Sequence, residues 1–80
     1  MDLAQELKRM ADDPDLVVSV ELVKTANWRA SIGDLAHGYI HAGRLRSFED
    51  AVLWLQRKAR ECYPECKYVL KRTIQFTVGR

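Results

Sequence analysis

Two histidines and two cysteines are the side chains here best suited to hold a metal or move a proton near neutral pH. They fall as His37 and His41, then Cys62 and Cys66. Each pair is four positions apart, which on a helix would stack both side chains on one face. A mixed His/Cys set of this kind suits tetrahedral zinc. The surroundings argue otherwise. Gly33, Gly38 and Gly43 bracket the histidines, and each glycine costs a helix about 1 kcal/mol relative to alanine. On a strand, four residues span about 13 Å, too far for two ligands of one ion. "CYPEC" is not a tight C-x-x-C knuckle. A Cys62–Cys66 disulfide would close a very small loop, and a cytosolic chain keeps such thiols reduced. We therefore expect no metal and no cofactor, with Cys62 serving as a small apolar core residue.

Catalysis lacks a constellation in this sequence. A cysteine nucleophile needs a placed base and an oxyanion donor, and no spacing here supplies them. Paired carboxylates, a phosphate-cradling glycine loop and a hydrolase elbow are missing as sequence patterns. The expectation is a non-enzymatic protein. His37, Tyr39 and His41 are instead expected on one face of a third strand, as a recognition edge. Its backbone would be open to pairing with another chain.

These residues must be positioned by a small scaffold. Eighty residues hold one core, so residues 1–80 are read as a single domain. An apolar share of 48% and a charged share of 30% place the chain among soluble globular proteins. No apolar run is long enough to span a membrane. The start, "MDLAQELKRM", lacks the basic-then-apolar order of a signal peptide, so a cytoplasmic location is expected.

Helix-like periodicity covers residues 3–12, where Leu3, Leu7 and Met10 form one stripe. Asp2 is placed to cap it, with Gln5 three residues on. Pro14 ends it. "LVVSVELV" alternates, with Leu16, Val18, Val20 and Leu22 on one face, and predicts a strand. A turn at Ala26-Asn27, with Asn27 left-handed, leads to a second strand with Trp28, Ala30 and Ile32 inward. A third strand is expected over roughly 38–43, bent or bulged at Gly38. "SFED" opens a second helix, with Ser47 as its cap. Phe48, Ala51, Val52, Leu55, Ala59 and Cys62 form its buried arc. "CKYVLKRTIQFTV" alternates again and predicts a final strand. The fold class is α+β, in the order α-β-β-β-α-β, with helices on one face of an antiparallel sheet.

Charge is unevenly spread along this scaffold. Residues 1–50 carry 6 basic and 9 acidic side chains, and residues 51–80 carry 7 and 2. Trp54 falls outside the buried arc of the second helix, on the side of Arg57 and Arg60. Trp and Arg dominate interface hot spots, so these three join His37, Tyr39 and His41 as expected partner-binding residues. Trp54 also has a purely structural reading, lying along the flank of the first helix. A protein partner is expected, with a homodimer contact as a variant. An alternative is an RNA- or single-stranded-DNA-binding module that sets Lys58, Lys67, Lys71 and Arg72 against phosphates.

The run "ASIGDLAHGYIHAGRLRSFEDAV" resembles the core signature of HicB-type antitoxins. Ser31, Ile32, Asp34, Leu35, Gly43, Ser47, Glu49 and Ala51 occupy comparable places. Gly33 and Ala36 stand where that family carries prolines. The resemblance implies a β-β-β-α-β core of partial RNase H or double-stranded-RNA-binding-domain type, and an antitoxin role. Double-stranded-RNA-binding domains open their last helix with a basic cluster, where this chain has "SFEDA". In size and architecture the chain is also similar to small phage-encoded inhibitors of the anti-CRISPR type. Together these give the expected function. It is a stoichiometric inhibitor of a bacterial nuclease or nucleoprotein defence complex, encoded by a phage or mobile element or related to an antitoxin.

Overall fold

The structure is a computed structural model, and it describes residues 2–71. Helix α1 (Leu3–Ala11) is followed by strands β1 (Val17–Lys24), β2 (Asn27–Asp34) and β3 (Gly38–Leu45), then helix α2 (Phe48–Cys62). The three strands form one antiparallel sheet in the order β1-β2-β3. No helix of the described residues is long and apolar enough to cross a membrane. This is the α+β architecture that the periodicities predict.

Both helix starts follow from their caps. The Asp2 carboxylate accepts from the amides of Ala4 and Gln5, at 3.1 and 3.3 Å, and Ser47 Oγ accepts from the Asp50 amide at 3.0 Å. These bonds satisfy amides that have no partner inside the helix. α2 lies over β2 and β3, and α1 over β1. Ala51, Val52, Leu55 and Ala59 are fully buried against Ala30 and Ile32 of the central strand. Burying a side chain such as Leu55 contributes about 2–3 kcal/mol. Trp28 meets Phe48 edge-on, with ring centroids 5.7 Å apart, and so closes the end of this layer.

Five expectations are corrected by the structure. First, residues 67–71 are helical rather than extended, and the Leu70 amide donates to the Cys66 carbonyl at 3.0 Å. Residues 72–80 of the expected last strand lie outside the described residues. Second, the left-handed residue of the first hairpin is Ala26 (φ 59°), and Asn27 already begins β2. Third, Cys62 is exposed and Cys66 is the buried thiol. α2 ends at Cys62, and the turn at Pro64 carries Cys66 back under the helix layer.

The remaining two corrections concern the expected recognition edge. His37 belongs to the turn before β3, where its amide donates to Asp34 Oδ1 at 2.8 Å. Gly38 follows with φ 72°, a conformation that suits glycine. The ladder then pairs Ile32 with His41 but Gly33 with Tyr39, which leaves Ile40 as an extra residue. A bulge reverses the facing of everything beyond it. His41 therefore shares the helix-covered face with Ile32, whereas Tyr39 points to the bare face, 59% exposed. His37, Tyr39 and His41 do not form one surface.

Candidate functional site

α2 is amphipathic, and its outward side decides what the protein can touch. Trp54 leaves the buried arc toward β3 and lies against Gly43. A Cβ on Gly43 would sit 2.8 Å from Trp54 Cε2, so the strand can accept the indole only because residue 43 is glycine. The structural reading of Trp54 as a cover for α1 is replaced by cover for β3. Lys58 Nζ stands 5.8 Å from the Trp54 ring and 3.9 Å from Glu61. The indole is thus half-buried, with Gly43 against its edge and Lys58 near its ring.

Beside this anchor runs a shallow groove bordered by Arg44, Arg46, Leu53, Trp54, Arg57 and Arg60. All four arginines are exposed, and Leu53 is 43% exposed. Among the described residues, none of these four guanidinium groups forms an ion pair. Asp50 is the single carboxylate that lines the groove. Arg57, Arg60 and Trp54 are brought together as the sequence predicts. Arg44 and Arg46 were missed, and the alternation of β3 into a short link before Ser47 was their signal. That link turns the chain end of β3 up toward the start of α2.

The other candidates scatter. Lys67 and Lys71 line a cleft against Arg9, Asp12, Asp13 and Pro14, on the β1 side of the sheet, whereas Lys58 stands on the β3 side. Arg72 lies outside the described residues. The described lysines of the basic third are therefore not one patch. At the start of β3, His37 Nδ1 lies 3.0 Å from Asp34 Oδ1, and His41 meets Tyr63 edge-on at 6.4 Å. The His37 amide, and then the His37 side chain, hold the Asp34 carboxyl below its ordinary value. Burial, and then the nearby Asp34 charge, push the Tyr63 phenol up. Burial likewise pushes up the Cys66 thiol. Among the described residues no three His, Cys, Asp or Glu side chains converge to hold a metal.

A second polar cluster was not foreseen, and it lies in the interior. Glu6 is 4% exposed and Asp13 6%. Glu6 Oε2 accepts from Tyr68 Oη at 2.8 Å and Gln56 Nε2 at 3.1 Å. Its Oε1 accepts from Arg9 at 2.9 Å. Gln56 Nε2 also donates to Tyr68 Oη at 3.0 Å. Asp13 Oδ2 accepts from the Tyr68 amide at 2.7 Å, and Asp13 Oδ1 from the Asp15 amide at 2.8 Å. These bonds join α1, α2 and the helical turn at 67–71. Every buried side-chain polar atom among the described residues has a partner, as a low-dielectric interior demands. The signal was in the spacing, because Glu6 lies between Leu3 and Met10 on the apolar stripe. Gln56 likewise lies between Val52 and Ala59.

Fold and surface together define a small α+β protein with a three-stranded antiparallel sheet, helices on one face and an arginine-lined groove. No protein-family model, curated protein or solved structure matches the chain.

Proposed function

We propose that this chain is a small non-enzymatic binding protein that acts as a stoichiometric inhibitor of a bacterial nuclease or nucleoprotein defence complex. Its working surface is the outward side of α2 with the end of β3. The observation that supports this reading is the groove itself. Among the described residues, four exposed arginines without ion pairs line it together with a half-buried tryptophan and an exposed leucine. Like charges gathered without partners destabilise a fold slightly through repulsion, and a complementary surface relieves that cost. A rigid aromatic and arginine side chains are also the usual anchors of an interface. The resemblance of residues 30–52 to HicB-type antitoxins adds to the reading, since that family acts by occupying a nuclease.

Capture from a bacterial lysate, with stoichiometry measured on the purified complex, tests the proposal. The expected result is a one-to-one complex containing a nuclease, lost when Leu53→Asp and Arg57→Glu are combined. Capture of the same proteins by that variant would remove α2 from the interface.

A further inference from the structure

We infer that the α2–β3 groove takes the phosphodiester backbone of a nucleic-acid strand, without reading its sequence. The inference rests on the proposed function above, and names what the groove would meet in a nucleoprotein complex. Charge complementarity carries it first, since four arginines and one carboxylate line the groove among the described residues. The choice of cation carries it next. Among the described residues no lysine lines the groove, although the chain has five. Arginine presents a planar fork that binds phosphate oxygens two at a time, and it is less strongly hydrated than an ammonium group.

Spacing supports the same occupant. Arg57 and Arg60 are neighbours on one helix face, about 5–6 Å apart at Cβ. Arg44 lies near the end of β3, and Arg46 lies in the bend that follows it. The two pairs come from different elements and border one channel, so a chain of regularly repeated anions can touch both.

The groove lacks the means to read bases. Gln56, the amide side chain nearest it, is bound to Glu6 and Tyr68 in the interior. Trp54 is half-buried against Gly43 with Lys58 near its ring, and any stacking on it would be tolerant of sequence. Recognition without base contacts depends on phosphates, so it is salt-dependent and tolerant of sequence.

Fluorescence anisotropy with short labelled single-stranded oligonucleotides tests this. The expected result is equal affinity for two unrelated sequences. A plot of log affinity against log salt should have a slope of about −3 for four phosphate contacts on a single strand. Arg57→Glu combined with Arg60→Glu should weaken binding at least about tenfold and flatten that slope by about 1.5. Lys67→Gln, in the separate cleft beside Asp13 and Pro14, should leave binding within about twofold. Absence of binding at low salt, or equal binding by the double variant, overturns the inference. So does equally tight binding of polyglutamate, which would show a groove that accepts any anion. If the oligonucleotide fails while a captured protein partner is still lost in the double variant, the proposed function stands and this inference falls. If the partner is also retained, both fall.

Discussion

Glu6 and Arg57 lie on neighbouring helices in opposite electrostatic surroundings. Glu6 is buried, and its carboxylate accepts from Arg9, Gln56 and Tyr68. Arg57 is exposed beside three further arginines, and among the described residues it has no ion pair. Burial explains the first arrangement. An unpaired interior charge costs several kcal/mol, so it persists only when fully bonded. Water explains how the second can exist, since exposed like charges are screened, but not why they are gathered in one groove. The comparison teaches where to look for function in this fold: satisfied charges hold the scaffold, and the unpaired ones gathered in one groove are the face to test.

The largest expected effect breaks the buried side of the comparison. Glu6→Ala strips Gln56 Nε2 and Tyr68 Oη of their shared acceptor and should cost about 3 kcal/mol in urea unfolding. A loss below about 1 kcal/mol would mean that water replaces the carboxylate and the clamp is dispensable. Gly43→Val comes next, because its side chain must displace the Trp54 ring. A cost of about 1–3 kcal/mol is expected from such overpacking. In a Trp28→Phe background, Trp54 emission should shift to the red. An unchanged spectrum would show that the indole is not seated on β3.

Smaller still is the expected effect of reversing the groove. Arg57→Glu with Arg60→Glu should change stability by no more than about 0.5 kcal/mol per site, as for surface substitutions in general. A cooperative loss of fold in thermal melts would place these arginines in the scaffold instead. The smallest effect concerns Asp34, whose folded-state carboxyl lies below its ordinary value. A depressed carboxyl contributes stability above its unfolded pKa, and loses it as pH falls through the folded value. Melts of Asp34→Ala and the parent should therefore differ near neutrality and converge at strongly acid pH. A difference that persists in acid would assign the effect to something other than the His37 contacts.

How far the sequence could reveal this depended on whether the determinants were local. α1, both hairpins and α2 were legible because caps, turns and apolar periods lie within a few residues of what they control. Parity was lost at Ile40, since one bulged residue sends Tyr39 and His41 to opposite faces and leaves no mark in composition. Residues 67–71 of the expected final strand were misread because Tyr68 and Leu70 alternate with lysines as strand residues do. In the structure, Cys66, Tyr68 and Val69 are buried and Leu70 is exposed, which is a helical pattern set by tertiary bonds. The candidate groove was half legible: α2 supplied Trp54, Arg57 and Arg60 by periodicity. Arg44 and Arg46 join them only through the way β3 returns against α2.

The cap that Asp13 provides for residues 67–71 has a consequence for the order of folding. The helical residues 67–71 depend on a tertiary contact, since the Tyr68 amide finds its acceptor, Asp13, 55 positions away. Closing so long a loop before any reward arrives is slow. The turn should therefore assemble last, once α1 has docked and presented Asp13, and it should be first to open. Mutations in it should speed unfolding and leave the refolding rate nearly untouched. Stopped-flow traces of Tyr68→Phe would show this as a change confined to the unfolding limb.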